Sequence, residues 1–547
     1  MPSTNPSLLS LPAEILLMIC SYLAIYPSCL DAVSLTCREL FLIAAQYRHR
    51  VMNIQSDANG INWKPFSASL LPEALRAKLH APESITFRKY KLDPTKRRGY
   101  RPRNTIVDFQ KTLNKHGNFS FENVQSLSFD RHNVFGGADK YHSKFDIIKQ
   151  FPQIKKLVLP VTANRWDGFV LGFFNPLVLS NSARTPKLYS MMNLSNLEDF
   201  SFKICGQQSR WTRSYLIDTN IIWDLAHLNS STLRHLRIRV VDWVVELRDR
   251  PMAAWSRYLK PATVWYQAFA FTCLAFREDQ TEIKLSLKTF QLEMFPQLDR
   301  TINLNFLQLC TLETLSLVFC RGAHKLLSAV TTNLVNLRCL QIIEHEVDWH
   351  YLADALRKLP PLEGLYVSMM IHNGVSPDCL SKHQDTMKRL VLLSPGPPNW
   401  FAKETDYPVE ISFKSWTALE ELTFHCKYLP ELEIPPSLKF LSLVQHSDLQ
   451  PTVDKSRLAI FKYAVQQMFS LTKSELNLRA VIIHPKLPLP LDMRKSFHVF
   501  QTRMHHNEKE TTISVELTTP ADFYRRYPEA SILREDGDPS SWINAFV

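Results

Sequence analysis

The chain has 547 residues, enough for several hydrophobic cores, and its formal net charge of +12 is only a mild basic bias at this length. Hydrophobic residues make up 45% and charged residues 21%, which excludes wholesale disorder. Glycine is rare, at 13 residues, and no glycine-rich phosphate-binding motif and no G-x-S-x-G occurs. These features argue against nucleotide-fold enzymes and hydrolases.

The first fifty residues predict two amphipathic helices. The segment LPAEI at 11–15 begins the first helix with proline in the first turn, where the missing N–H costs nothing. A break at Tyr26-Pro27 ends this helix, because the residue before proline avoids helical angles. Apolar residues then recur at helical spacing in both helices. They are Leu11, Pro12, Ile15, Ile19 and Leu23 in the first helix, and Val33, Cys37 and Leu40 in the second.

The segment LPAEI at 11–15, followed by SLTCREL at 34–40, resembles the F-box, a helical module that docks on the Skp-family adaptor of a cullin–RING ubiquitin ligase. The resemblance covers residues 8–52. It implies that the eight apolar residues of the two helices bind the adaptor as a helix inserts in a groove. The alternative is an ordinary helical hairpin that caps a larger domain.

Residues 53–117 are expected to connect this module to the rest of the chain. Within them, the segment 88–103 carries eight basic residues and one acidic residue. A solvated loop between modules is the preferred interpretation, because Pro94, Gly99 and Pro102 lie in it. A nuclear-localisation patch and a nucleic-acid contact are the alternatives.

A repeated phrase of the form L-x-x-L-x-L runs through residues 118–450. Its middle hydrophobic residues stand at 290, 315, 340, 365 and 390, a period of 25 held four times. Each phrase predicts a short strand, and helical spacing at 324–334 and 349–359 predicts helices between strands. The first and middle hydrophobic residues of the phrases are Val124 and Leu127, Ile154 and Leu157, Leu197 and Phe200, Leu233 and Leu236, Leu287 and Phe290, Leu312 and Leu315, Leu337 and Leu340, Leu362 and Leu365, Met387 and Leu390, Leu419 and Leu422, and Leu438 and Leu441.

This phrase and period resemble the leucine-rich repeat. The resemblance implies an α/β solenoid, shaped as a horseshoe, over 118–450. Residues 451–547 are then expected to form a C-terminal cap. In that cap the pattern predicts a helix at 458–471 and strands at 478–483 and 511–517.

Side chains that alternate with the buried hydrophobic residues are expected to line the concave face of such a solenoid. The mixture of polar and apolar residues there suits a protein partner better than a phosphate. The alternative for each single residue is a solvated or neighbour-packed position. The candidate partner-binding residues are Gln291, Ser316, Gln341, Tyr366, Arg389, Val391 and Thr423.

The sequence predicts no catalytic residue, no metal ligand and no cofactor. His345 and His350 are five residues apart, not the four of a zinc-binding helix, and no two cysteines form C-x-x-C. The longest apolar run, at 268–276, is half of what a membrane span needs. No secretory signal fits the first residues. We therefore expect a cytoplasmic or nuclear protein that does not enter a membrane.

The two resemblances together are those of an F-box protein with leucine-rich repeats. They imply a non-catalytic substrate receptor, which binds the adaptor and a protein substrate, with nucleic acid an unlikely partner. One rival is an interaction scaffold without a ubiquitin role. Another is an enzyme or nucleic-acid binder that uses the C-terminal region or the basic segment 88–103.

Overall fold

The structure is a computed structural model, and each statement below concerns the residues it describes. The predicted helix at 458–471, the basic segment 88–103 and residues 345–346 lie outside them. The described residues are 11–23, 33, 40, 44, 51–54, 56–57, 60–61, 83–87, 109, 123–129, 151–162, 164–165, 194–206, 215–216, 226, 228–242, 284–293, 307–318, 320, 322–344, 349–368, 378–393, 412–426, 434–445, 477–484, 498–506, 511–518, 523, 526–527 and 530.

The chain divides into two compact units, Met1–His235 and Leu236–Val547. The elements of the first unit are α1 (Ala13–Leu23), β1 (Val51–Ile54), β2 (Ser56–Asp57), β3 (Gly60–Ile61), β4 (Ser84–Phe87), β5 (Ser126–Phe129), β6 (Lys156–Thr162), β7 (Asn164–Arg165), β8 (Asp199–Gly206) and β9 (Tyr215–Leu216). Strands β1, β4, β5, β6 and β8 pair in that order, and every pair is parallel. Two short antiparallel pairs, β2 with β3 and β7 with β9, stand apart from this sheet.

The second unit contains a longer run of strands. Its strands are β10 (His235–Asp242), which begins at the last residue of the first unit, β11 (Thr289–Glu293), β12 (Thr314–Val318), β13 (Cys339–Ile343), β14 (Gly364–Ser368), β15 (Arg389–Leu393), β16 (Glu421–Cys426), β17 (Phe440–Gln445), β18 (Ala480–His484), β19 (His498–His506) and β20 (Thr511–Thr518). They neighbour one another in chain order. The pairs from β11 to β18 are parallel, and the last two pairs are antiparallel.

Few helices accompany these strands in the described part of the second unit. They are the α-helices α2 (Ala323–Val330), α3 (Trp349–Lys358) and α4 (Asp378–Ser381), and the 3-10 helices η1 (Leu309–Thr311) and η2 (Thr331–Asn333). The predicted helices at 324–334 and 349–359 correspond to α2 with η2 and to α3. Parallel strands with helices between them make the fold α/β, as the sequence predicts at this level.

Each of the eleven predicted phrases contains a strand, and the predicted strands at 478–483 and 511–517 correspond to β18 and β20. The structure adds strands that the sequence analysis did not predict: β1, β4 and β19 in the main run of strands, and the short β2, β3, β7 and β9. In β4, Ile85 and Phe87 are buried and alternate with the half-buried Ser84 and Thr86. This strand extends the parallel arrangement towards the N-terminus, because β1 pairs with β4 and β4 with β5.

The period of 25 residues in the sequence sets the register of the sheet, because residues 25 positions apart lie beside each other on neighbouring strands. Phe290 lies beside Leu315, and this pairing repeats in the same register through Leu340, Leu365 and Leu390. The sheet therefore carries one continuous row of buried hydrophobic side chains. Burial of each contributes roughly 1.5–3 kcal/mol relative to an exposed position. We call the side on which this row lies the leucine face.

The helices contribute apolar side chains to the core of the second unit. In α3, Leu352 and Leu356 are one helical turn apart and fully buried, whereas Asp354 and Arg357 are exposed. A carboxylate from the following phrase holds the start of α2, since the Gly322 amide donates to Glu344 Oε1 at 2.8 Å. An acidic group is favourable at that end of a helix.

Hydroxyl groups link successive phrases at the edge where the strands begin. The residue before the first hydrophobic residue of a phrase donates a hydrogen bond to a backbone carbonyl of the preceding phrase. The bonds join Thr232 to Leu197, Thr311 to Leu287, Thr386 to Leu362 and Ser437 to Leu419, at 3.0, 3.0, 2.8 and 2.8 Å. These bonds satisfy carbonyl groups that lie outside the strand pairing.

Charges of alternating sign follow the same edge in the second unit, one residue after the first hydrophobic residue of each phrase from Leu287 to Leu438. We call this set the charge ladder: Lys288, Glu313, Arg338, Glu363, Lys388, Glu420 and Lys439. Lys288 bonds Glu313 at 3.1 Å, Lys439 bonds Glu420 at 2.9 Å, and Glu363 contacts both Arg338 and Lys388. Because opposite charges stand on neighbouring phrases, the ladder favours this stacking order over a shifted one.

We expect the substitution Glu363→Gln to lower the free energy of unfolding by about 1 kcal/mol at neutral pH and low salt. Burial raises the pKa of Glu363, but hydrogen bonds from Lys388 and Arg338 outweigh it, so the pKa is lowered. A lowered folded pKa means that this stability is present above the unfolded pKa and is lost as pH falls through the folded value. Urea denaturation measures it.

The matched control is Glu313→Gln, because Glu313 makes one ladder ion pair, with Lys288. It should lose less stability than Glu363→Gln. In about 1 M NaCl the difference should shrink, since salt screens exposed charges. An effect of Glu363→Gln that is the same at both salt concentrations would contradict an electrostatic role for the ladder.

Candidate protein-binding surfaces

Helix α1 exposes apolar side chains on one side. Leu11 is 38% exposed and Ile15 39%, and Met18 and Pro12 are exposed as well. Leu16 and Cys20 are buried, so the helix has a second, covered apolar side. Ile15 and Met18, three residues apart in the helix, lie on one stripe, and Leu11 and Pro12 immediately precede the helix. The amides of Ile15 and Leu16 both donate to the Pro12 carbonyl, at 3.0 and 3.2 Å, and fix the first turn.

The other predicted adaptor-binding residues differ in burial. Ile19 and Val33 are half-buried and Leu40 is buried. The backbone is helical at residues 33, 40 and 44, within the second predicted helix. The side chain of Leu23, and Cys37 altogether, lie outside the described residues. Among the predicted anchors, Leu11, Pro12 and Ile15 are thus the ones exposed to a partner. Met18 belongs to the same stripe, although the sequence analysis did not include it.

The predicted partner-binding residues lie on the side of the sheet opposite the leucine face. We call this side the second face; it consists of Thr289, Gln291 and Glu293 with the residues in register with them. The structure places six of the seven in one register row from Gln291 to Thr423, and Arg389 lies on the same side, two residues before Val391 in β15. Their exposure differs from the expected open lining. Tyr366 and Arg389 are half-buried, whereas the buried ones are Gln291, Ser316, Gln341, Val391 and Thr423.

Neighbouring side chains on the second face bind one another. The Ser316 hydroxyl donates to Gln341 Oε1 at 2.8 Å, and Arg389 Nε lies 3.5 Å from Glu421 Oε1. Tyr366 packs against Val391 and Leu393, and burial raises the pKa of its phenol. The buried residues therefore support the sheet, and their contact with a partner stays a prediction. Tyr366 and Arg389 are the members of the set that reach the surface.

A cluster of polar residues occupies the start of the second face. Arg237 Nε donates to Gln291 Oε1 at 2.7 Å, and Arg239 Nε lies 3.0 Å from Glu293 Oε1. We call these four residues the arginine cluster. Both arginines are half-buried, while Gln291 and Glu293 are buried. The sequence analysis missed the two arginines, although their alternation with Leu236 and Ile238 is the period of a strand with one buried side.

Two buried donors of the arginine cluster, Arg239 Nε and Gln291 Nε2, make no hydrogen bond to any residue that the structure describes, although Arg239 Nε is ion-paired with Glu293. The Gln291 residue is 2% exposed. A buried donor without an acceptor costs about 1–3 kcal/mol. Its oxygen is engaged by Arg237, so rotating the amide would give up one bond to gain another. The cluster therefore retains hydrogen-bonding capacity.

The far end of the second face is covered by residues near the C-terminus. The ring centroid of Phe440 lies 5.8 Å from that of Phe523 and 5.4 Å from that of Tyr527. Phe440 is in register with Glu421, so these contacts are on the second face. Arg479 lies over the Tyr527 ring, 6.0 Å from its centroid. At β17 and β18, residues of the chain itself therefore cover the second face. At β14 and β15, by contrast, Tyr366 and Arg389 of this face are only half-buried.

His383 is a buried structural side chain between phrases. The Leu362 amide donates to His383 Nδ1 at 3.1 Å, and His383 Nε2 lies 3.1 Å from the Leu356 carbonyl oxygen. Because Nδ1 accepts, the proton of the neutral ring is on Nε2, where it donates to Leu356. Burial lowers the pKa of this histidine to about 4. An imidazole with both nitrogens committed to backbone groups has none left for catalysis.

Two buried cysteines carry protonated thiols. Burial raises the pKa of Cys339 to about 12 and that of Cys379 to about 11, so both thiols stay protonated at neutral pH. No group of three or more histidine, cysteine or acidic residues in the described ranges could hold a metal ion. Of the helices described, none is long and apolar enough to cross a membrane.

No protein-family model matches this chain, and no curated protein matches it either.

Proposed function

We propose that this chain is the substrate-recognition subunit of a cullin–RING ubiquitin ligase. Helix α1 would bind the Skp-family adaptor, and the second face of the sheet would bind the protein to be ubiquitinated. The chain itself would form no covalent bond. It would hold a substrate lysine near the ubiquitin-charged enzyme, which replaces a bimolecular search by a tethered one.

The observation that carries this proposal is the exposed stripe on α1. Leu11 and Pro12, just before α1, and Ile15, in its first turn, are exposed apolar residues, whereas Leu16 and Cys20 of the same helix are buried. They are the same residues by which the sequence resembles an F-box. An exposed apolar stripe on one helix is the pattern of helix-in-groove recognition.

The regular spacing of the strands supports the second part of the proposal. A leucine-rich-repeat solenoid stacks one strand per repeat, with helices between strands. The 25-residue register from Phe290 to Leu390, with α2 and α3 between strands, is what such an array requires. We therefore propose a solenoid as the finer description of this α/β fold, with the N-terminal helices as its F-box.

The experiment is copurification of the full chain with a Skp-family adaptor. We expect wild type to capture the adaptor and the double variant Pro12→Ala, Ile15→Glu to bind it about 10- to 1,000-fold more weakly. This range corresponds to a loss of roughly 1–4 kcal/mol for buried interface anchors. Pro12 lies just before α1 and the Ile15 side chain is exposed, so the helix should form in the variant.

Val335→Glu is the matched control, because Val335 is an exposed apolar residue of the second unit, 57% exposed. It should bind the adaptor as wild type does. Circular dichroism confirms that each variant is folded. If folded wild type fails to capture the adaptor, the ligase proposal is wrong, and a scaffold without a ubiquitin role becomes the better interpretation.

A further inference from the structure

We propose that the arginine cluster binds an acidic segment of a partner protein, through aspartate or glutamate side chains two residues apart in an extended peptide. The proposal rests on the proposed function only in naming the partner as a protein to be ubiquitinated. The binding chemistry itself comes from Arg237, Arg239 and Gln291, and it can be measured without a ligase.

The spacing of the two arginines suits an extended ligand. Arg237 and Arg239 are two residues apart in β10, so their side chains leave the strand on the same side, about 6.6 Å apart. Each directs its Nε towards β11, to Gln291 and to Glu293 respectively. A peptide in extended conformation presents every second side chain to one side at the same interval. Two acidic residues with one residue between them would therefore meet the two guanidinium groups in register.

The hydrogen-bonding inventory of the cluster selects an anionic ligand. A guanidinium group has five N–H donors and no acceptor, and a side-chain amide adds two more donors. The cluster contains one carboxylate, Glu293, which faces Arg239 at 3.0 Å. Within these four residues donors outnumber acceptors, and the buried Nε2 of Gln291 and Nε of Arg239 make no hydrogen bond to a described residue. A carboxylate accepts such donors strongly, and arginine binds it through two parallel bonds.

The surroundings favour a peptide over a nucleic acid. Next along the second face come the neutral Ser316 and Gln341, then the apolar group of Tyr366, Val391 and Leu393. A polynucleotide carries a charge on every unit and needs a continuous basic track. A protein segment instead alternates charged, polar and apolar side chains, as this face does. Arg389, the next arginine along it, lies near its own carboxylate, Glu421.

The experiment measures binding of short fluorescein-labelled peptides to the full chain by fluorescence anisotropy. The peptides share the frame Ser-Ala-X-Ala-X-Ala-Ser, with X as glutamate, glutamine or phosphoserine. We expect the glutamate peptide to bind about 10-fold more tightly than the glutamine peptide, since a charged hydrogen bond is the stronger kind. Its affinity should fall as salt rises.

Variants assign the binding to the cluster. The double variant Arg237→Gln, Arg239→Gln should lose about 10-fold or more in affinity for the glutamate peptide, and Gln291→Leu should lose several-fold. Arg338→Gln is the matched control, because it also removes a positive charge, but from the exposed charge ladder. It should leave the affinity within about twofold of wild type.

The outcomes separate this proposal from the ligase proposal. Equal binding of the glutamate and glutamine peptides, or full affinity in the double arginine variant, would overturn the acidic-ligand site. Phosphoserine binding more than about 10-fold tighter than glutamate would overturn the assignment to carboxylates. Adaptor capture is measured in parallel on the same preparation. If it fails while the glutamate peptide binds, the ligase proposal is wrong and the arginine cluster stands.

Discussion

Acidification from pH 7.5 to pH 5 should destabilise the fold around His383 by about 2 kcal/mol through this side chain alone. The folded pKa of His383 is about 4 because the ring is buried, whereas an unfolded histidine titrates near 6.5. The folded pKa is lowered, so the stability is fully present above pH 6.5. It is lost as pH falls from 6.5 towards 4, where the unfolded chain binds a proton that the folded chain excludes.

The magnitude follows from the difference between the two pKa values. A separation of roughly 2.5 units at about 1.36 kcal/mol per unit gives a full loss of about 3 kcal/mol near pH 4, of which about 2 is lost by pH 5. The Leu362 amide is the most direct reporter, since it donates to His383 Nδ1. Its hydrogen-exchange protection should fall on acidification, because the opened chain binds a proton at His383 that the folded chain excludes.

His383→Gln is the variant that tests this prediction. A glutamine can accept from the Leu362 amide and donate to the Leu356 carbonyl without titrating. We expect the variant to be modestly less stable at pH 7.5 and to lose about 2 kcal/mol less than wild type between pH 7.5 and pH 5. Carboxylates contribute equally to both proteins, so they cancel in the comparison. Identical pH profiles would show that His383 does not govern acid sensitivity.

The positions of the strands were predictable because the constant spacing of the phrases in the sequence corresponds to the pairing of neighbouring strands in the sheet. When phrases recur every 25 residues, a parallel sheet places equivalent residues beside each other, and Phe290, Leu315 and Leu340 do lie in register. The short strands β1 and β4 escaped prediction for the converse reason. Ile85 and Phe87 alternate as strand residues should, but no regular period connects them to the later phrases.

The burial of the second face could not be read from the sequence. Alternation predicts which side of a strand a residue occupies, and that assignment placed Gln341 and Ser316 together. It does not say whether that side is open. Polar side chains are usually exposed, yet these two are buried and bonded to each other at 2.8 Å. Such a pair is recognisable only when the register of both strands is known.

The cover over the far end of the second face was equally hidden. The sequence predicts a C-terminal cap, but Phe523 and Tyr527 contact Phe440 across more than 80 positions of sequence. No periodicity connects residues that far apart.

The arginine cluster was missed for a different reason. Arg237 and Arg239 are ordinary polar positions of one strand in the sequence, and only the structure places Gln291 and Glu293 beside them.

Leu340→Ala should lower the free energy of unfolding of the second unit by about 3 kcal/mol, within the range of roughly 2–5 for buried leucines. Leu340 is fully buried in the leucine face, between Leu315 and Leu365 on the neighbouring strands. The variant removes three carbon atoms from a position that is packed from both neighbouring strands, so the surrounding chain cannot easily fill the cavity. Urea denaturation gives the total loss.

Hydrogen exchange then distinguishes a stacked array from a single cooperative core. In a stack, each repeat depends on its immediate neighbours, so protection in Leu340→Ala should fall first at β12, β13 and β14. Protection at β17 and β18 should change less, because these strands have their own cover from Phe523 and Tyr527. Val335→Ala, at an exposed position two residues before the same phrase, should stay within about 0.5 kcal/mol of wild type. A uniform loss of protection across every strand of the unit would contradict the proposed solenoid, since nearest-neighbour stacking predicts a local response.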